Sequence, residues 1–315
     1  VRTLSMMLRP SPQQLACLTP FEWKAFGFAD FFNRKIRDKG EAAIEPLYDM
    51  ADAEGVMGLF HGAPYDRTFQ APGGIDVVYR DAGHILGSSQ VVVEHKGLRM
   101  VFTGDYKRRW DPTCPQFEPV ENTHVFISEA TFGLPVFRHP PTEHEIDRLM
   151  RSVADNPDRT HCIGAYSLGK AQRVIKHLRL AGHDRPIYIH GSLEKLCKVY
   201  EAAGVSLGEL RPATLDDMSK SAREVFRGEI IVAPPGAFEG KWAQRFPDPV
   251  IGFASGWMSV KQRAKQRGVE LPLVISDHAD WDELTDTVRE VDPQELWITY
   301  GREDALVRWA ELEGR

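Results

Sequence analysis

The sequence predicts an α/β protein with largely parallel strands, and two observations support that fold class. From about residue 142 onward, short β-branched runs alternate with segments of helical periodicity, as in βαβ units. The 315 residues are 42% hydrophobic and 27% charged, which suits a globular protein of one large domain or two medium ones. This composition excludes collagen-like, disordered and disulfide-scaffold proteins.

The first part of the chain predicts helices and then an antiparallel group of strands. Up to about residue 65, FEWKAFGFADFFNRKIRDKG and EPLYDMADAEGVMGLF are aromatic and helix-like. The β-branched runs IDVVYR, QVVVEH, LRMVFTG and THVFIS then predict strands. Only Lys96 and Gly97 separate the second run from the third, which predicts a hairpin.

The second part predicts alternating helices and buried strands. TEHEIDRLMRSVADN has a predicted capping box from Thr142 to Glu145, and AQRVIKHLRLAG predicts the next helix. A further helix contains Leu193 and ends at Gly204, and a last one begins at Asp280. The predicted strands are THCIGAY, IYIH, EIIVAPP, PVIGFAS, LPLVIS and LWIT.

Charge and cysteine content limit the classes of function. The formal net charge of −6 gives no overall basic field for nucleic acid, so any such binding requires local patches or a metal. The four cysteines form no Cys-x-x-Cys pair and predict reduced thiols in a cytoplasmic protein. No apolar run is long enough to span a membrane, and VRTLSMMLRP lacks a secretory core. The initial valine suggests an alternative start codon or a chain that begins inside a longer gene.

Polar residues follow several of the predicted strands at their C-terminal ends. His84, Asp105, Glu129, His278 and Tyr300 each lie in such a cluster. Ligand sites gather at that edge of α/β sheets, and imidazoles with carboxylates suit a divalent cation such as zinc. Each residue alone also fits a turn, a helix cap or an ion pair, and this reading stays open beside a metal or acid–base site.

These clusters belong to an ordered series of motifs: DAGHILGSSQ, TGDYK, SEATFG, SGWM and SDHADW. The series resembles that of the metallo-β-lactamase fold nucleases of the β-CASP group. That group includes ribonuclease J, the cleavage-and-polyadenylation endonuclease and the bacterial ligase-associated exonucleases often labelled mRNA 3′-end processing factors. From Thr103 to Trp309 the sequence is most similar to the ligase-associated branch, and from about Asn33 to Ser89 it looks more like the general RNA-processing branch.

The resemblance implies a metallo-β-lactamase fold, an αββα sandwich that is N-terminally incomplete here, with an inserted α/β β-CASP cap domain. Residues 1–139 would form the first part of the metallo-β-lactamase domain. Residues 140–252 would form the cap, and residues 253–315 the C-terminal return of the first domain.

The resemblance also implies a zinc-dependent nuclease with two metal ions. His84 would ligate one zinc and Asp105 would bridge both. Glu129 would orient His278, and His278 would protonate the leaving 3′-oxygen. Nucleic acid, DNA or RNA, would be the substrate, and an ATP-dependent DNA ligase or other repair proteins are partners that the family suggests.

Two departures from the family pattern predict impaired catalysis. The principal metal motif, His-x-His-x-Asp-His, does not occur among the eleven histidines. Tyr300 stands where the family has a histidine ligand, and a phenol with a pKa near 10 is a poor zinc ligand at neutral pH. We therefore expect little bound zinc and little or no cleavage. A catalytically inactive nucleic-acid-binding or complex-assembly homologue is the alternative, and a misassigned gene start is a third explanation.

Basic residues near these motifs predict nucleic-acid contacts. Lys107, Arg108 and Arg109 follow the candidate bridging ligand, and Lys170 begins a helix on which Arg173 is expected to face outward. A further basic run lies beside SGWM, at Lys261, Arg263, Lys265 and Arg267. A solvated basic face is the alternative for each patch. The segment Ser167 to Lys170 lacks the spacing of a nucleotide-binding P-loop.

Overall fold

The structure, a computed structural model, describes residues 50–215 and 219–314. Residues 50–64 belong to one compact unit and the residues from 65 onward to another. In the first unit, helix α1 spans Met50–Met57. The predicted helical segment FEWKAFGFADFFNRKIRDKG lies outside the described residues.

The unit that begins at residue 65 alternates strands and helices, as the sequence predicts. Its strands are β1 (Phe69–Ala71), β2 (Ile75–Asp81), β3 (Ser89–His95), β4 (Leu98–Phe102), β5 (Val125–Ala130), β6 (Thr160–Gly164), β7 (Ile187–Ile189), β8 (Leu210–Pro212), β9 (Ile230–Ala233), β10 (Pro249–Ala254), β11 (Leu271–Leu273) and β12 (Glu295–Gly301). Its α-helices are α2 (Thr142–Asp155), α3 (Lys170–Leu180), α4 (Gly191–Ala202), α5 (Lys220–Arg223), α6 (Pro235–Phe238), α7 (Lys261–Gln266), α8 (Trp281–Val291) and α9 (Glu303–Leu312). Short 3₁₀ turns span Glu224–Phe226, Lys241–Arg245 and Gly256–Ser259.

The first sheet has six strands in the order β1-β2-β3-β4-β5-β12. Strands β1 to β4 pair in antiparallel fashion, whereas β4 with β5 and β5 with β12 pair in parallel. Because β3 runs opposite to both of its neighbours, β2, β4, β5 and β12 all run in the same direction. Their C-terminal ends therefore meet at one edge of the sheet.

The predicted hairpin joins β3 to β4. His95 pairs with Leu98, and the two residues between them have positive φ angles of 48° at Lys96 and 82° at Gly97. Two consecutive positive φ angles are what a tight two-residue hairpin turn requires. The hairpin prediction is therefore confirmed.

The second sheet has six strands in the order β11-β10-β6-β9-β7-β8, and all of its paired strands are parallel. Its strands are almost continuously buried, as in β6 and β9. Parallel strands with helical crossovers are covered on both faces, which explains why these runs lack polar alternation. The prediction of a mixed α/β protein with largely parallel strands is confirmed.

Each sheet has an apolar core against its helices. Val288 and Val291 of α8 pack with Val101 and Phe126 of the first sheet. The second sheet packs against α2, α3 and α4 through a larger cluster that includes Ile163, Ile175, Leu178, Leu193 and Val232. These two cores fix the strand ends from which the site loops extend.

Of the two predicted helix N-caps, the structure agrees with that of α8 and differs from that of α2. Asp280 accepts a hydrogen bond from the backbone N–H of Glu283, and the predicted cap of α8 is confirmed. Helix α2 instead begins at Thr142 itself, without a side-chain cap. The carboxylate of Glu145 accepts hydrogen bonds from Val274 N and from Arg148, so it is not available for a capping box.

The predicted domain boundaries stay a prediction. The second sheet extends past residue 252, since β10 ends at Ala254 and β11 joins it at Leu271–Leu273. Among the described residues, no helix is long and apolar enough to cross a membrane.

Candidate functional site

The shared edge of the first sheet brings the predicted site residues together. His84 lies in the loop after β2, Asp105 lies in the loop after β4, and Glu129 is near the end of β5. His278 comes from the loop after β11, which belongs to the second sheet. The site is therefore built by loops from both sheets.

The His84 ring is fixed by the backbone of the loop opposite. Its Nδ1 lies 2.8 Å from the carbonyl oxygen of Asp277. A carbonyl can only accept, so Nδ1 carries the proton and donates, which leaves Nε2 with a free lone pair when the ring is neutral. Nε2 lies 3.9 Å from Oδ2 of Asp105. Burial and the nearby His278 lower the pKa of His84, which favours the neutral ring.

Glu129 and His278 form an ion pair in which the carboxylate is buried. The His278 Nδ1 lies 3.1 Å from both carboxylate oxygens of Glu129, and the Glu129 side chain is 1% exposed. Burial alone would lower the pKa of His278, but the attraction to Glu129 and the hydrogen bond outweigh it and raise the pKa. The backbone N–H of Tyr106 also donates to Glu129 over 2.8 Å, so the carboxylate is held in place.

His84, Asp105 and His278 form a candidate metal site. One ligand atom from each of the three lies within 4.8 Å of the others, and the Asp105 carboxylate is the most exposed of them. The two rings lie 4.7 Å apart, centroid to centroid. Two histidines and one carboxylate are a ligand set that zinc uses in catalytic sites, where a fourth position stays open.

The observed hydrogen bonds fit one metal ion. Metal-binding histidines usually donate their second ring N–H to a carbonyl or a carboxylate, which orients the ring. His84 donates to a carbonyl and His278 to a carboxylate. Within the part of the chain that the structure describes, these three residues are the one cluster of histidine, cysteine and carboxylate groups that could hold a metal. The described residues offer no second cluster of this kind for a second ion.

Tyr300 lies at the same edge, in an irregular part of β12. Thr299 pairs with Glu129 and Gly301 with Ala130, so Tyr300 is the extra residue of a bulge. Its φ angle of 56° is unusual for an aromatic residue. At Gly301 a Cβ atom would lie 2.0 Å from the carbonyl oxygen of Ala130, so only glycine fits there. The Tyr300 side chain is more than half exposed.

A cluster of buried charges lies behind the site. It contains three cations and two carboxylates, all with nearly inaccessible side chains: Lys107, Lys170, Arg173, Asp111 and Asp277. Lys107 and Asp111 lie 2.7 Å apart, as do Lys170 and Asp277. Burial alone would raise the pKa of Asp277, but Lys170 and Arg173 lower it strongly. We call these five residues the buried charge cluster.

The buried charge cluster holds the site loops at their backbones. Lys107 Nζ donates to the carbonyl of Gly83 over 2.6 Å, next to His84. Arg173 donates to the carbonyl of Ser276, two residues before His278. The His84 loop is therefore tied to the loop after β4, and the His278 loop is tied to α3. Sequence reasoning missed Asp111 and Asp277 as site residues, although Asp277 lies inside the motif SDHADW.

Most of the basic residues predicted to bind nucleic acid are buried or paired with carboxylates in the structure. Lys107 and Lys170 are buried in ion pairs, with side chains 1% and 4% exposed, so they cannot contact a phosphate in this structure. Arg173, expected on an outer face, is buried too. Arg108 pairs with Glu290. Arg109 contacts Asp280 and the carbonyls of His139 and Pro140, so its donors are largely engaged.

Comparison with known proteins gives relatives of two kinds. The chain is 29% identical over 266 residues to a protein named Probable DNA ligase from Opitutus terrae, covering 79% of this chain and 25% of the relative. It is 32% identical over 174 residues to Endoribonuclease YSH1 of Saccharomyces cerevisiae, which covers 51% of this chain and 21% of the relative. It is also 23% identical to Cleavage and polyadenylation specificity factor subunit 3-I of Arabidopsis thaliana, over 83% of this chain and 44% of the relative.

The yeast and Arabidopsis relatives bear the names of the cleavage-and-polyadenylation endonucleases whose motif series the sequence resembles, and the bacterial relative is named a ligase. The comparisons thus confirm the resemblance of this chain to the β-CASP metallo-β-lactamase nuclease family. The chain spans less than half the length of each of these relatives, and about a quarter of the ligase. No protein-family profile matches the sequence.

A solved structure is similar in fold. A protein of unknown function from Enterococcus faecalis V583 matches with a TM-score of 0.51 and 12% identity, over 76% of this chain and 61% of that one. At this identity the likeness concerns the arrangement of strands and helices alone.

Proposed function

We propose that this chain is a zinc-dependent nuclease of its family with impaired catalysis, acting on the phosphodiester bonds of DNA or RNA. The observation that supports this most is the convergence of His84, Asp105 and His278 at one sheet edge, with Glu129 behind His278. The two-domain arrangement proposed with it has a metallo-β-lactamase domain and an inserted cap at residues 140–252.

His84 and Asp105 would hold the metal ion in this proposal. The Nε2 of His84 is the ring nitrogen that its hydrogen bond to Asp277 leaves free, and the Asp105 carboxylate is exposed beside it. A bound zinc would supply Lewis acidity for the phosphate and an activated water. Tyr300 offers a phenol in place of an imidazole, and this supports weak metal binding and slow cleavage.

His278 would act as the general acid. Its raised pKa keeps the imidazolium populated closer to neutral pH, and Glu129 stabilises that charge. The proton of the ring would pass to the leaving 3′-oxygen as the phosphodiester bond breaks. General acid catalysis of this kind contributes a factor of about 10²–10⁴ to a rate.

A cytoplasmic location and a ligase partner complete the proposal. Cys114, Cys162 and Cys197 are free thiols, as expected in a reducing compartment. The Opitutus terrae relative is named a ligase and is about four times as long as the matched region. We propose an ATP-dependent DNA ligase, or another repair protein, as a physical partner.

The test is metal-dependent cleavage of labelled single-stranded DNA and RNA by the 315-residue chain. We expect slow cleavage that requires Zn²⁺ or Mn²⁺ and disappears in Asp105→Ala. The control is Asp147→Ala, the same change at an exposed position on α2, which is expected to behave as wild type. Cleavage that is unaffected by Asp105→Ala would contradict the proposed site.

A second function, an inactive nucleic-acid-binding homologue, is favoured by Tyr300 alone. It predicts binding of the same oligonucleotides with no cleavage under any metal condition. Rapid cleavage with two tightly bound zinc ions would contradict both this alternative and the proposed impairment.

A further inference from the structure

We infer that a surface beside α7 binds single-stranded nucleic acid and leads it to the site edge. This inference rests on the proposed function, which makes nucleic acid the substrate. The surface consists of two aromatic and two basic residues, Tyr166, Trp257, Arg263 and Arg267, which we call the α7 strip. We assign the nucleic-acid contacts to this strip rather than to Lys107 and Lys170, because the charges of those two lysines are buried.

Planar side chains contact one another along the α7 strip. The guanidinium carbon of Arg263 lies 4.2 Å from the centroid of the Trp257 ring. The guanidinium carbon of Arg267 lies 5.3 Å from the centroid of the Phe253 ring. The centroids of the Phe253 and Tyr166 rings lie 6.4 Å apart. Tyr166 is 54% exposed, so much of its ring is open to a ligand.

The charges of Arg263 and Arg267 are uncompensated within the described residues. Their side-chain contacts there are with aromatic rings and not with carboxylates. The nearby Glu270 is paired with Arg159 instead. Arg108 and Arg109, in contrast, are engaged with carboxylates of α8 and its N-cap. The α7 strip therefore offers the free guanidinium groups that a phosphate backbone would contact.

The α7 strip lies at a topological switch point of the second sheet, where the strand order reverses. Strands β6 and β10 are parallel neighbours. The chain leaves β6 toward β7 on one side, and it leaves β10 toward β11 on the other. In open parallel sheets, loops that diverge at the C-terminal ends of adjacent strands form a crevice in which ligands bind. Tyr166 follows β6, and Trp257 follows β10.

Phe132 connects the α7 strip to the candidate acid. Its ring lies 4.8 Å from that of Trp257 and 6.1 Å from that of His278, measured between centroids. A strand bound along the α7 strip would thus have a phosphate within a few nucleotides of the site edge.

Single-stranded nucleic acid is the ligand that matches this chemistry. Exposed aromatic rings stack bases and free guanidinium groups neutralise phosphates, and this combination is typical of single-strand binding surfaces. In a duplex the base faces are already stacked on one another, so an exposed ring such as Tyr166 would gain no partner.

The test is fluorescence anisotropy with labelled oligo-dT and oligo-rU of about 12 nucleotides, in EDTA so that cleavage does not interfere. Replacing both Arg263 and Arg267 by Gln is expected to reduce the slope of log K against log salt by about 1.4, or about 0.7 per phosphate contact. Tyr166→Ala is expected to weaken binding about fivefold or more with little change in that slope.

The control removes the same number of charges from the other side of α7. Lys261 and Lys265 are one helical turn apart and lie roughly opposite Arg263 and Arg267. Replacing both lysines by Gln is expected to change the slope by less than half as much. Trp297→Ala, at another exposed aromatic residue, is expected to leave affinity unchanged.

Three results would overturn the inference: no binding by the wild type, equal effects of the arginine and lysine pairs, or equal binding of duplex with no effect of Tyr166→Ala. Preferential binding of oligo-rU or oligo-dT identifies the natural strand and supports the inference either way. Cleavage that depends on Asp105 while binding ignores the strip variants overturns this inference alone. Binding through the strip by a chain whose cleavage is indifferent to Asp105 overturns the proposed function alone.

Discussion

Replacing Asp277 by Asn is expected to destabilise the protein much more than replacing its ion-pair partner Lys170 by Met. Asp277 lies 2.7 Å from Lys170 and 3.6 Å from Arg173 in the buried charge cluster. Without Asp277, three buried cations would share one carboxylate, that of Asp111. Removing one partner of a buried ion pair costs about 3–5 kcal/mol when it leaves uncompensated charge, and this is the value we expect for Asp277→Asn.

The Lys170→Met variant should cost about 2 kcal/mol or less, the worth of one charge-assisted hydrogen bond. Asp277 would keep Arg173 as a partner, and the cluster would then contain two cations and two carboxylates. Burial lowers the pKa of Lys170, which shows that enclosing its ammonium group is itself unfavourable. Methionine also fills a similar volume with an apolar chain.

The assay is urea unfolding at pH 7 followed by tryptophan fluorescence, with the midpoint and the slope compared among wild type and the two variants. An Asp277→Asn variant as stable as Lys170→Met, or more stable, would refute the charge argument. A changed slope would mean that the unfolding reaction itself differs, and far-UV circular dichroism of each variant checks that the starting fold is the same.

Two further predictions concern pH and backbone conformation. Burial lowers the pKa of His139 from 6.5 to about 4, so between these pH values the folded state binds fewer protons than the unfolded state. The protein should therefore lose stability as pH falls through this range, by about 3 kcal/mol at most. In urea unfolding, His139→Leu should lose less stability over the same pH range. Gly301→Ala should cost about 3 kcal/mol or more, because its Cβ would clash with Ala130. The matched change Gly97→Ala, where nothing lies within 4 Å, should cost about 1 kcal/mol by thermal unfolding, and equal costs would contradict the steric argument.

Local sequence signals predicted the strands and the convergence of the site loops. Polar residues directly after β-branched runs placed His84 and Asp105 at strand ends, because parallel strands bring those ends to one edge. The step from Lys96 to Gly97 predicted its hairpin for a similarly local reason. Such features depend on neighbours in the chain, and the structure agrees with them.

The burial of charged residues could not be predicted in the same way. Lysines are rarely buried, so Lys107 and Lys170 were expected at the surface. Their burial depends on Asp111 and Asp277, and the latter pair joins residues more than a hundred positions apart in sequence. No periodic pattern identifies such partners. The sign of a local charge run therefore did not reveal which cations are free. Arg263 belongs to a basic run that the sequence already identified, and its contact with Trp257 is what the structure adds.

The proposed site holds one metal ion weakly through His84 and Asp105, and it leaves His278 free to act as the general acid. The most direct measurement is a titration of the metal-free 315-residue chain with Co²⁺, a spectroscopic substitute for zinc, with Asp105→Ala measured in parallel. We expect one weak site per chain that is lost in Asp105→Ala. Two tight sites, no site, or one site unaffected by that substitution would contradict it.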